Sequence, residues 1–91
     1  MLMLKRNKIL ISGKVTGIFF RKFIHNHALR LNLKGYVKNI GDKVEAVFEG
    51  SQENIQKIIL LCKSGPPEAR VENIEIKKEK VKNLKDFQIL R

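Results

Sequence analysis

Apolar residues in this chain alternate between two spacings, and the order of the alternation restricts the fold more than any other feature. Residues 8–15, Lys-Ile-Leu-Ile-Ser-Gly-Lys-Val, are rich in β-branched side chains and predict a buried strand. A glycine-marked loop follows, Thr16-Gly17-Ile18-Phe19. From Phe20 the period changes. Phe20, Phe23, Ile24, Ala28 and Leu31 recur at helical spacing, so one apolar face can lie on a sheet. That helix is expected to end near Asn32, a usable C′ residue, with Gly35 soon after. Residues 35–40 and 43–49 alternate as a second and a third strand, with Val44, Ala46 and Phe48 on one face. Gly41-Asp42 between them suits a tight hairpin. Ser51 then offers a helix N-cap, and Ile55, Ile58, Ile59 and Cys62 recur at i, i+3, i+4 and i+7. Ser64-Gly65-Pro66-Pro67 stops this second helix. Residues 71–76 read as a fourth strand with a charged continuation to Lys82, and residues 86–90 as a short fifth.

The order is therefore β-α-β-β-α-β plus a short strand. It predicts an α+β, ferredoxin-like two-layer sandwich with two helices on one face of an antiparallel sheet. A chain of 91 residues is read as one domain, 1–91. Hydrophobic residues make up 43% and charged residues 31%, as in a folded chain rather than a disordered one. With one cysteine, Cys62, no intrachain disulfide and no cysteine metal cluster can form, so the core must carry the stability. No apolar run approaches the roughly 20 residues that span a bilayer. The opening Met1-Leu2-Met3-Leu4 is too short for a signal sequence, and Lys5 and Arg6 follow it rather than precede it. The expected compartment is the cytoplasm.

The net charge is +10 and it is uneven. Residues 1–45 hold ten Lys/Arg and two acids, a net +8; residues 46–91 hold nine and seven, a net +2. A basic half attracts anions, whether nucleic acid, anionic lipid or a phosphorylated metabolite. Within it, the loop Val15, Thr16, Gly17, Ile18, Phe19, Phe20 leads to Arg21 at a helix start. Helix starts carry unpaired N–H groups and a positive dipole. A tight loop ahead of one can turn further amides inward into an anion nest. Arginine beside that dipole is unfavourable unless an anion lies between them, and its planar fork can grip two phosphate oxygens. On spacing alone, a surface arginine after an ordinary turn is the somewhat stronger reading. Asn39 is a second candidate: its amide can donate to and accept from a water. Taken alone, it reads first as a turn residue at the Gly41-Asp42 hairpin.

Four segments carry a resemblance. Gly13-Lys14-Val15-Thr16-Gly17-Ile18-Phe19-Phe20-Arg21 resembles the acylphosphatase signature G-[RK]-V-Q-G-V-x-F-R. Gly35-Tyr36-Val37-Lys38-Asn39 resembles the second signature, G-[WY]-V-x-N. Gly65-Pro66-Pro67-Glu68-Ala69-Arg70-Val71 resembles G-P-P-x-A-x-V, and Asp86-Phe87-Gln88-Ile89 is similar to the family's closing segment. The chain thus resembles an acylphosphatase over nearly its whole length. The resemblance implies hydrolysis of a carboxyl–phosphate anhydride to carboxylate and inorganic phosphate, with no metal and no cofactor. It implies that Arg21 and the amides of residues 15–20 bind the phosphate and that Asn39 positions the attacking water. The implied partners are a small acyl phosphate and inorganic phosphate as product or inhibitor, with no membrane, no nucleic acid and a monomeric state. Thr16 stands where the pattern has Gln, Tyr36 where Trp is commoner, a mild change in core packing, and the hairpin after Asn39 is one residue shorter than usual.

Other chemically suggestive residues have plainer readings. His25 and His27 sit two apart on a helix and point in different directions, without partner ligands. Cys62 lies on an apolar stripe and reads as a small core residue. Three rival functions stand beside the first. One is a basic nucleic-acid-binding module, which the charge favours but the scarcity of aromatics opposes. Another is a carbamoyl-phosphate-handling domain of the hydrogenase-maturation type, found in longer chains with zinc-finger cysteines. The third is a family member that binds phosphate without turnover.

Overall fold

The structure is a computed structural model that describes residues 3–17 and 19–90; Ile18, one of the loop candidates, lies outside the described residues. The elements run β1 (Leu4–Lys14), α1 (Phe20–Arg30), β2 (Lys34–Ile40), β3 (Lys43–Ser51), α2 (Gln52–Ser64), β4 (Arg70–Glu79) and β5 (Phe87–Ile89). The sheet order is β4-β1-β3-β2-β5. Both helices lie on one face, as the periodicity predicts. Phe20, Ile24 and Ala28 of α1 and Ile55, Ile58, Ile59 and Cys62 of α2 are buried with Ile9, Ile11, Val37, Val44, Ala46 and Phe48 of the sheet. Burial pushes the Cys62 thiol up to about 12, which keeps it neutral as a core residue. Among the described residues, no helix is long and apolar enough to cross a membrane.

Both helix ends follow from local chemistry. Leu33 N–H donates to the Ala28 carbonyl and Asn32 N–H to the Leu29 carbonyl, with Asn32 at φ 55. This is a Schellman closure with asparagine in the left-handed position and buried Leu33 beyond it. At α2 the Ser51 hydroxyl accepts from Asn54 N–H at 3.2 Å.

Three expectations change. First, β1 begins at Leu4, not Lys8. Its first residues lack an apolar pattern, yet Arg6 is only 6% exposed and donates to Glu49 at 3.0 Å and to Glu79 at 2.9 Å. Second, the sheet is mixed rather than antiparallel throughout. β1 to β4 pair antiparallel, but β5 pairs parallel to β2. The chain leaves β4 at one edge and returns at the opposite edge, so β5 enters in the direction of β2. Third, Tyr36 packs on the face away from the helices, where its hydroxyl donates to Glu45 at 3.1 Å.

Glu49 holds the crossing segment. Its carboxylate accepts the N–H groups of Lys82 and Leu84 as well as the Arg6 guanidinium. Burial alone would raise its pKa, but these donors hold the carboxyl below its ordinary value. Glu49→Ala leaves two amides and part of a buried guanidinium unpaired, so it is expected to cost about 3 kcal/mol of stability. A depressed carboxylate stabilises the fold above its unfolded pKa and ceases to do so as pH falls through the lower folded value. The stability gap between wild type and Glu49→Ala, measured by urea unfolding, is therefore expected to be full at pH 7 and to shrink below about pH 4.

Candidate active site

β1, β2 and β5 run in the same direction, so their C-terminal ends lie together at one edge of the sandwich, beside the start of α1. A β-bulge shapes the approach. Glu72 is the extra residue of β4 opposite Ser12 and Gly13, and Gly13 sits at φ 126 against the Arg70 carbonyl, where a Cβ would collide. The chain then turns through Gly17, at φ 71, into the helix.

At this point lies a cavity of about 380 Å³, lined by Val15, Gly17, Phe19, Phe20, Arg21, Lys22, Asn39 and Ile89. The two candidate chemical residues, Arg21 from α1 and Asn39 from β2, thus share one cavity. Arg21 is half-buried, and its Nη1 donates to the Leu90 carbonyl at 3.3 Å. This contact ties the arginine to the end of β5 and leaves its other donors available. Asn39 is exposed, and its side chain makes no hydrogen bond among the described residues, so it is not a cap of the Gly41-Asp42 turn.

The loop amides are also unspent. No hydrogen bond of the described residues uses the N–H of Thr16, Gly17 or Phe19. The first turn of α1 has no acidic residue, and Arg21 and Lys22 lie there beside the positive end of the helix dipole. Free amides, a dipole and two cations make this an anion site without an internal anion.

The loop residues divide by what they present. Val15 and Phe20 are each 1% exposed, so their side chains belong to the core although both residues line the cavity. The Phe20 ring leaves room only for a glycine at Gly65, where a Cβ would come within 2.9 Å of it. Gly65 therefore packs against the residue at which the loop enters α1. Thr16 does not line the cavity. Lys22 and Ile89 do, although neither was among the candidate site residues. The adjacent arginine and the position of Ile89 in the fourth matched segment were the available signals.

His25 and His27 serve packing. His27 lies edge-on to Phe23 at 4.5 Å and His25 is tilted against Phe87 at 6.0 Å. Among the described residues, no three His, Cys, Asp or Glu side chains come together as metal ligands.

The comparisons with known proteins point the same way as these residues. The acylphosphatase family model matches residues 7–89. An acylphosphatase of Pyrobaculum aerophilum is 44% identical over 88 residues, covering 93% of each chain. The structure of an acylphosphatase from Coxiella burnetii superimposes with a TM-score of 0.92 at 33% identity, over 96% of this chain and 93% of that one. Full-length HypF, solved in a phosphate- and nucleotide-bound form, matches with a TM-score of 0.95 at 33% identity; all of this chain corresponds to 12% of that one. Both signature segments that form the cavity fall within the matched residues, and on this shared sequence and fold the chain belongs to the acylphosphatase family.

Proposed function

We propose that this protein is an acylphosphatase that hydrolyses small acyl phosphates without a metal, using Arg21 and the loop amides to bind the phosphate and Asn39 to orient water. The observation that carries the reading is the meeting of Arg21 and an unbonded Asn39 amide in one cavity at a helix N-terminus. The substrate's phosphoryl oxygens would lie against Arg21 and the N–H groups of residues 15–20. Water, held by the Asn39 amide, attacks phosphorus. The bond from phosphorus to the carboxylate oxygen breaks and its electron pair leaves with the carboxylate. The water proton passes to a phosphoryl oxygen, since an amide is no base at neutral pH. Products are a carboxylate and dihydrogen phosphate, which balances the dianionic substrate plus water. A carboxylate is a stable leaving group, so positioning and charge stabilisation supply what the reaction needs.

Thr16 in place of Gln is compatible with turnover, because its side chain is not part of the cavity. The nucleic-acid reading has less support. The sheet face away from the helices offers one aromatic, Tyr36, whose hydroxyl is given to Glu45. The neighbouring Lys8 and Lys38 pair with the same carboxylate at 3.7 and 3.8 Å. A buried, unreactive Cys62 suits a cytoplasmic protein, and the charged edge strand β4, with Glu72, Glu75, Lys77 and Lys78, suits a monomer. The expected result is release of inorganic phosphate from acetyl phosphate at an unchanged rate in excess chelator. Phosphate binding without release would favour a silent member, and salt-dependent RNA binding without release would favour the nucleic-acid module.

A further inference from the structure

A second cavity, of about 600 Å³, lies between α2 and the strands β1 and β4, and neither Arg21 nor Asn39 lines it. Strand register settles what faces it. Ile9 is buried beneath the helices, so Lys5 and Asn7 lie on the helix side of β1, and Ile76 and Lys78, the partners of Ile9 and Asn7, on the helix side of β4. Gln52, Gln56, Ile59, Leu60 and Lys63 form the facing stripe of α2. β4 is an edge strand, so α2 covers this face from one side only. Leu60 is accordingly 64% exposed and Ile76 50%. Polarity is sorted along the groove. α2 starts beside the beginning of β1, where Ser51 pairs with Leu4, and the chain after α2 rejoins the sheet at the end of β1, where Arg70 pairs with Lys14. Lys5, Lys78, Gln52 and Gln56 therefore stand at one end, Ile59, Leu60 and Ile76 further along, and Lys63 at the far rim. Among the described residues, Lys5, Lys63 and Lys78 have no acidic partner. Arg6 and Glu79, which also line the groove, are paired with each other at 2.9 Å, and Arg6 with Glu49 as well.

We propose that this groove is a second binding site, separate from the catalytic cavity, that takes a free fatty acid with its carboxylate at Lys5 and Lys78 and its alkyl tail along Leu60 and Ile76. An apolar trough with free cations and no free acid is complementary to an amphiphilic anion. The volume is that of a small-molecule site. From Gln52 to Lys63 the helix wall runs about 16 Å, the length of an extended alkyl chain of roughly twelve carbons. The head end holds two lysines and the amides of Gln52 and Gln56 as donors, while the arginine fork that would favour a phosphate is taken up by Glu49 and Glu79. A peptide backbone laid along Leu60 and Ile76 would meet side chains that cannot pair its N–H and C=O groups, whereas an alkyl tail needs no partner. The proposal does not depend on the reading of the catalytic cavity.

The test is calorimetric titration of the full chain with octanoate, decanoate and dodecanoate, each below its micelle concentration, with dodecyltrimethylammonium as the cationic control. Wild type should bind one dodecanoate, with affinity rising about 3-fold for each CH₂ from octanoate upward. Leu60→Asp, at an exposed helix position, should weaken dodecanoate about 10-fold by placing a charge against the tail. Lys5→Glu with Lys78→Glu should weaken it about 10-fold and narrow the preference over the cation. Both variants should keep wild-type acetyl phosphate turnover, and excess inorganic phosphate should leave dodecanoate bound. Absence of saturable binding, an affinity independent of chain length, or binding indifferent to both variants overturns the proposal. Displacement of dodecanoate by phosphate overturns it by placing the ligand in the catalytic cavity. Binding to phosphatidylglycerol vesicles without binding of monomeric dodecanoate overturns it in favour of a membrane surface.

Discussion

Arg21→Lys is expected to lower kcat/KM for an acyl phosphate by about 10³-fold, roughly 4 kcal/mol of transition-state stabilisation. The substitution keeps the positive charge at the helix start and so separates charge from geometry. Arg21 uses Nη1 to reach the Leu90 carbonyl at 3.3 Å, which fixes the plane of the guanidinium. The remaining donors can then meet two phosphoryl oxygens as a fork. A lysine ammonium is a single point on a flexible stem and cannot hold the Leu90 carbonyl and grip two oxygens in a fixed plane. Inhibition by inorganic phosphate should weaken in the same variant, because the ground-state anion uses the same donors. The check is steady-state kinetics with phosphate as competitor. A lysine variant with wild-type turnover would remove Arg21 from the role assigned to it.

The fold was legible where apolar spacing is strong. Both helices and the central strands announce themselves because one face of each meets the core: Ile24 and Ala28, Ile55 and Cys62, Val44 and Ala46. The start of β1 was not legible. Leu4-Lys5-Arg6-Asn7 has the composition of a solvated end, and its order depends on Glu49 and Glu79, which are 43 and 73 residues away from Arg6. The parallel pairing of β5 was hidden for a related reason: three residues carry no directional signal, and the direction comes from a crossing pinned by Glu49.

The site divides in the same way. Gly17 and Arg21 are readable from strand–glycine–helix spacing, but spacing alone slightly favours an ordinary turn. Asn39 gained weight only through its signature, since an asparagine before Gly41-Asp42 reads first as a turn residue. Its register opposite Val44 puts it on the helix-facing side of β2, where it lines the cavity with Arg21. Thr16 departs from the Gln of the signature, and it stands outside the cavity lining. Lys22 and Ile89, which no local pattern distinguished, stand inside it. A contact between the first turn of a helix and the last strand is a tertiary fact with no local trace.

Asn39→Ala bears most directly on the account, because the asparagine is assigned to water and not to phosphate. Its side chain is exposed and makes no hydrogen bond among the described residues, so its loss should leave the fold intact. Losing the group that orients the nucleophile is expected to lower kcat by about 10²- to 10³-fold. Phosphate inhibition should stay near the wild-type value, since Arg21 and the loop amides remain. The decisive measurement is acyl phosphate turnover with phosphate as competitor, wild type beside Asn39→Ala, in excess chelator. Collapse of kcat with the inhibition constant retained is the predicted result; retained turnover, or loss of turnover and phosphate binding together, would contradict it.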